Sequence, residues 1–288
     1  MVEGILVEEG RVKRVERGRL SRILVDPLLV VGLLVLALTV LVAILAPVIV
    51  PTDPLQQNVR QSLSGPTWFL DGYRGHPFGT DQVGRDVLSN VISGIRISLL
   101  VGFAASAIAF TIGIVVGVLA GYFGGWLDSL LMRAVDLMLS VPTELIALLV
   151  MAIMGQGLWK LIFVIGITGW SSYARTARGT VLSERERDYV EAARAIGVSS
   201  SRLITHHILR NIMTPMAILV AVQLPGVIML EATLSFLGLG IPVTTPSLGL
   251  TISRGFDVLF SGHWWVVAFP GLALFLITFS INVLADSM

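Results

Sequence analysis

The stretch that decides the fold is "YVEAARAIGVSSSRLITHHILRN", Tyr189–Asn211. It reads as two helices joined at a glycine. Tyr189–Ile196 is rich in helix formers, and Gly197 stands just past the end, where a left-handed residue closes a helix. Ser199, Ser200 or Ser201 can cap the next helix, which places Leu203, Ile204, Ile208 and Leu209 at helical spacing. The stretch is charged and soluble in character, yet long apolar runs flank it on both sides.

Those runs set the class. Of 288 residues, 55% are apolar and only 14% charged, and the mean hydropathy is +0.85. A soluble domain needs more polar surface, so the chain is an integral membrane protein. With no cysteine, disulfides, thiol nucleophiles and cysteine–metal sites are excluded. The net charge of +1 does not point to any partner. A lipid-crossing helix needs roughly 20 mostly apolar residues. Six stretches qualify: Leu28–Val50, then about Ile97–Gly121, Ser129–Met154, Leu158–Tyr173, Met213–Phe236 and Trp264–Leu284. Helices are the open structure that satisfies its own backbone in lipid. The expected fold is therefore all-α, with six transmembrane helices. The first span is too long for a signal-peptide core, and no small-x-small cleavage site follows it, so it is read as retained.

Arginine and lysine give the orientation. The N-terminal segment carries Arg11, Lys13, Arg14, Arg17, Arg19 and Arg22, and the segment between spans four and five carries Arg175, Arg178, Arg185, Arg187, Arg194, Arg202 and Arg210. Both are expected in the cytoplasm, together with Arg133. The expected division is a cytoplasmic segment 1–26 and a transmembrane domain 27–288. Within that domain, 51–96 forms an external loop and 174–212 a cytoplasmic one.

Inside the membrane, Ala105, Ala109, Gly113, Gly117 and Gly121 place one small residue every four along span two. Such a face lets another backbone approach closely. It serves packing within the chain, or a seam toward a second subunit or a pathway. Arg133 and Asp136 lie one turn apart and can pair. Glu144, after Pro142, and Glu231 are carboxylates at membrane depth, where charge is expensive and often functional.

"HPFGTDQVGRDVLSNVISGIRISL", His76–Leu99, precedes span two. Thr80 can cap a helix, Asp81 suits its first turn, and Asp81 and Arg85 are spaced to pair. Val83, Val87, Val91 and Ile95 form one apolar stripe. The expectation is an amphipathic helix on the outer interface. His76 lacks a second histidine or cysteine nearby and makes a weak metal ligand, and His263 adds too little for a metal relay.

For the hairpin itself two readings compete. "EAARAIGVSSSRLITHHI" has the pattern of a DNA-binding helix-turn-helix. A DNA reader, however, exposes basic groups on its second helix and is usually mobile. Here that helix offers Arg202 and Arg210 and runs almost directly into a span. The other reading is docking, in which a short helix at the membrane surface fits a groove on a cytoplasmic partner.

"EAARAIG" with "HHILRN" resembles the EAA loop of ATP-binding-cassette (ABC) importer permeases. The His76–Leu99 segment, "LSFLGLGIP" at Leu234–Pro242 and "FPGLALFLITFSINVLAD" at Phe269–Asp286 are similar to the C-type permease subunit of the oligopeptide/dipeptide/nickel importers. The resemblance runs from about His76 onward. It implies the type I importer permease fold. It also implies that Glu191, Ala192, Ala193 and Gly197 form the helix seated in an ATPase cleft. Three positions depart from the family's pattern. Arg210 replaces a usual proline before span five, Leu248 a usual tryptophan, and Ala285 a usual glycine. Relatives also continue past the position of Met288 into a short charged tail.

The resemblance implies a peptide importer in the plasma membrane of a prokaryote, with both termini in the cytoplasm. Its partners would be a homologous second permease, two ABC ATPase subunits that use ATP, and an external substrate-binding protein. The chain itself is not expected to hydrolyse ATP. A P-loop needs Gly-x4-Gly-Lys-Ser/Thr, and the two lysines, Lys13 and Lys160, follow Val12 and Trp159. The alternative is an ion-coupled secondary transporter using Glu144, Asp136 or Glu231, a class in which internal repeats are common. No such repeat is evident.

Overall fold

The computed structural model describes residues 26–68 and 75–288. The N-terminal basic segment lies outside the described residues, as do Asp71 and Arg74. Helix α1 spans Pro27–Ile49, α2 Val87–Phe123, α3 Gly125–Ser140, α4 Thr143–Met154 and α5 Leu158–Arg185. They are followed by α6 Asp188–Ala195, α7 Ser200–Phe236, α8 Leu248–Leu259 and α9 Trp265–Asp286. Among the described residues the only strand-like pairing is one bridge, Thr80 to Asp86.

Among the described residues, α1, α2, α7 and α9 are each long and apolar enough to cross a membrane. The pair α3–α4, bent by 84° at Val141–Pro142, makes a fifth span if counted as one. The expected fourth span, α5, has the length but not the apolarity. Its second half holds Arg175, Arg178 and Arg185, while Leu161, Val164, Ala174, Ala177 and Val181 are fully buried against its neighbours. A helix shielded by protein does not need a lipid-facing surface. By contrast, α1 exposes Leu34, Leu38, Ile44 and Val48 and touches the bundle along one side, where Gly32 faces Val283.

The segment before span two differs from the expected interfacial helix. Thr80–Asp86 is a loop, and α2 begins at Val87, capped by Asp86, whose Oδ2 accepts from the Ser89 amide at 2.8 Å. Asp81 does not pair with Arg85 along a helix. Its Oδ1 accepts from the Val83 and Arg85 amides at 3.0 and 2.8 Å, closing a turn that leaves Gly84 at φ +75°. Val87 and Val91 are not laid on lipid. They are buried in one core cluster with Leu224 and Ile228 of α7 and Ile277 of α9.

This segment forms a cap over the ends of α1, α2 and α9. His76 bridges Asp86 Oδ1 and Gln61 Oε1 at 3.0 and 3.1 Å. Trp265 donates to the Thr80 carbonyl at 3.2 Å, and Phe78 stacks on Phe269 with centroids 4.1 Å apart. A Cβ on Gly84 would collide with the Asn58 carbonyl, so only glycine lets these two loop strands meet. Helix α8, which the sequence reading left inside a loop, returns to the cap: Gln82 Nε2 donates to the Arg254 carbonyl at 2.7 Å.

Candidate functional site

At the end of the bundle opposite the cap, the chain turns from α5 through α6 into α7. Glu184, 6% exposed at the end of α5, is the anchor of this turn. Its Oε2 accepts from the Tyr189 hydroxyl at 2.6 Å and from Asn211 Nδ2 at 3.2 Å, and Asn211 also donates to the Tyr189 oxygen at 2.7 Å. Arg187 pairs with Glu184 Oε1 at 2.9 Å. Burial first, and then the Glu184 bond, push the Tyr189 phenol above its ordinary range, so it stays a neutral donor. One carboxylate thereby ties together α5, α6 and α7.

Helix α6 ends in a Schellman closure. The Val198 amide donates to the Ala193 carbonyl at 3.1 Å and the Gly197 amide to that of Arg194 at 3.0 Å, with Gly197 at φ +83°. Val190 faces inward and is fully buried, while Glu191, Ala192, Arg194 and Ala195 are exposed and Ala193 is half-buried. Ile196 is 82% exposed. Sequence reasoning passed over Ile196 and Glu184. The first had a signal, an aliphatic residue directly before the helix-ending glycine of a charged hairpin. Glu184 had none, because its partners are dispersed along the chain.

The second arm of the hairpin is not a separate helix. A π-helical turn, Leu203–Ile208, leads into Leu209–Phe236 without interruption. At Arg210 the chain therefore continues as helix. Leu203, Ile208 and Ile212 line its buried side. A recognition helix fused to a span of 37 residues has no freedom to enter a DNA groove.

The small residues of α2 meet α5. A Cβ on Gly113 would collide with Tyr173 Cβ, one on Gly117 would sit 2.5 Å from the Ala174 carbonyl oxygen, and one on Gly121 2.9 Å from Val181 Cβ. Ala105 and Ala109, both buried, continue this face, with Gly166 and Gly169 opposite them on α5. The hairpin thus hangs from α5, which is seated on α2 along nearly its whole length.

The charged residues occupy separate environments. Arg133 does not pair with Asp136, since Arg175 of α5 takes that carboxylate at 2.5 Å. Arg178 grips Asp128 through two bonds of 2.5 and 2.7 Å, so α3 is clamped to α5. Glu231 is fully buried and accepts from Ser98 at 2.7 Å and Ser235 at 2.9 Å. Glu144, in the first turn of α4, lines a cavity of ≈ 150 Å³ between α2, α4, α5 and α7.

Residues 113–288 match the profile of the family described as the binding-protein-dependent transport system inner membrane component. The chain belongs to this family. Residues 19–66 of the permease also match the N-terminal transmembrane domain of oligopeptide transport permease C. Similar relatives include the dipeptide transport system permease protein DppC of Escherichia coli K12, 41% identical over 90% of this chain and 86% of that one. The di/tripeptide permease DppC of Pseudomonas aeruginosa is 37% identical over 89% and 84%, and the oligopeptide permease OppC of Bacillus subtilis 32% over 100% and 94%. Among solved structures, a chain of the inward-facing MetNI methionine ABC transporter superposes with a TM-score of 0.56 at 18% identity, covering 68% of this permease and 93% of that chain. That likeness supports the fold of a type I importer permease. At Leu248 the permease has a fully buried leucine against Gly94, whose added Cβ would lie 2.9 Å from the leucine side chain.

Proposed function

We propose that this permease is one half of the membrane pathway of an ATP-driven peptide importer, and that α6 is the helix through which a cytoplasmic ATPase moves it. The observation that carries the reading is a short helix whose outer face is unpaired (Glu191, Ala192 and the Ile196 tip) while its base is tied to α5 and α7 through Glu184. An exposed aliphatic tip beside small residues and a carboxylate suits a cleft on a folded partner. Peptide as cargo rests on the relatives, whose names specify dipeptides, di/tripeptides and oligopeptides.

The remaining parts are a homologous second permease, two ABC ATPase subunits that bind ATP, and an external protein that delivers the peptide. The permease contributes a two-state element and no chemistry of its own. Closure of the ATPases displaces α6, and because α5 and α2 are packed backbone to backbone, the displacement reaches the spans. The hairpin lies in the cytoplasm and the cap outside, in the plasma membrane of a prokaryote.

Glu191→Lys tests the docking. Removing one partner of a desolvated charged contact costs about 2–5 kcal/mol, so the variant loses ATPase co-purification and peptide uptake at unchanged membrane abundance. Full retention of both would reduce the hairpin to a connector. Orientation is tested in this cysteine-free chain with Ser200→Cys and Val59→Cys. An impermeant maleimide applied to intact cells labels position 59 and spares 200; the reverse pattern overturns the topology.

A further inference from the structure

The break between α3 and α4 opens onto the cavity that holds Glu144. Irregular backbone at membrane depth persists where it lines a cavity or is buried in protein. Ala105 and Ala109 on its wall stand near the midpoint of the 37-residue α2, so the cavity lies near the middle of the membrane. Glu144 is exposed there and makes no ion pair among the described residues. The other two carboxylates considered from sequence, Asp136 and Glu231, already have partners. The opposite wall adds Gln223 and Tyr173. The Tyr173 hydroxyl is buried beside that of Ser106. Lone ionisable groups at this depth mark cargo paths in transporters.

We infer that Glu144 forms, with the Tyr173–Gln223 wall, a mid-membrane subsite for the α-ammonium group of the peptide cargo. This rests on the peptide-importer reading above. The chemistry is specific to a cation: the Glu144 carboxylate accepts, and the Gln223 amide oxygen accepts a further N–H bond. The size fits a chain terminus and not a whole peptide. A volume of ≈ 150 Å³ is that of about five waters. The remainder of the peptide extends through the cavity's open side. Gly169 and Gly226 keep the walls low, and a Cβ on Gly226 would meet nothing within 4 Å.

The test uses the complete importer, both permeases with ATPases and binding protein, in proteoliposomes. Gly226→Cys places a single thiol of this chain in the cavity wall. A dipeptide is expected to slow its maleimide labelling, followed by mass spectrometry of this chain, whereas the N-acetylated dipeptide, which lacks the ammonium, leaves it unchanged. Adding Glu144→Gln abolishes the protection and lowers dipeptide uptake about tenfold, the size of one lost charge-assisted hydrogen bond. Glu144→Asp retains most of both, and the binding protein's affinity for the dipeptide is unaltered. Equal protection by the acetylated peptide, protection by nickel(II) alone, or wild-type uptake by Glu144→Gln would each overturn the subsite. If Glu144→Gln reduces membrane abundance, the acetylated-peptide comparison in the Glu144 background still decides. Absence of peptide uptake by the unmodified importer would instead defeat the peptide reading itself.

Discussion

Five polar side chains between Thr80 and Asn90 (Thr80, Asp81, Asp86, Ser89 and Asn90) are almost or fully buried at the cap end, whereas between Asp188 and Ser199 at the hairpin end only Val190 is. The cap is held by a mesh of bonds from four separate stretches of chain. The first arm of the hairpin, α6, is held by one carboxylate and one apolar side chain. Apart from Arg85 Nε and Asn90 Oδ1, which are buried without a partner among the described residues, the cap's buried polar network is satisfied and so fixes one geometry, while segments with few buried contacts open at low free energy. Under the proposed coupling role the ends differ mechanically: the cap keeps the ends of the helices in register, and the hairpin is the part an ATPase would grip and displace.

The strongest way to break this contrast is at Gly84. Gly84→Ala adds a Cβ in contact with the Asn58 backbone at a positive φ, and strain and overpacking together cost roughly 3 kcal/mol or more. Membrane abundance should fall severely, and a thermal-unfolding scan in detergent should show the loss. Next comes the seam that joins the two ends. Gly117→Leu forces α2 away from the Ala174 carbonyl and Ala177 at roughly 2–3 kcal/mol, and uptake should drop further than abundance does.

Changes at the hairpin should be smaller and local. Glu184→Ala leaves the Tyr189 hydroxyl without its acceptor and Asn211 with the Tyr189 oxygen alone at about 2 kcal/mol. Amide exchange should quicken over residues 187–211, with the cap unaffected. Gly197→Ala has the smallest expected effect. An added Cβ meets nothing within 4 Å, so the strain is that of the backbone alone, about 1 kcal/mol. ATPase retention should weaken measurably while melting temperature hardly moves. If Gly197→Ala destabilised the protein as much as Gly84→Ala, the contrast between the two ends would fail.

The sequence showed the hairpin well because its signals are local: a helix-ending glycine, a run of serines, charge between apolar runs. The Gly113–Gly117–Gly121 stripe was visible too, though its partner helix was not. The cap was misread for a physical reason. Thr80, Asp81 and the valine stripe satisfy every local rule for a helix start, but Gly84 and the distant Asn58 and Ser64 backbones compete for the same groups and prevail. Helix α8 has a strongly amphipathic pattern that was overlooked within a presumed loop. Span four was placed at Leu158–Tyr173, whereas α5 runs on to Arg185 through a polar half whose burial against α2 has no local signal.

Helix α2 has 37 residues and a length of about 55 Å at 1.5 Å per residue, well beyond the roughly 30 Å of hydrocarbon. It starts inside the cap and finishes against α5, one turn from Arg185, whose guanidinium donates to the Gly121 carbonyl at 2.9 Å. It is free of proline, so it behaves as a rigid lever. A tilt of about 5° swings one tip relative to the other by roughly 5 Å over that length. On the proposed coupling, a grip on the hairpin and a movement at the cap would then be two ends of one stroke, with no relay of small rearrangements needed between them.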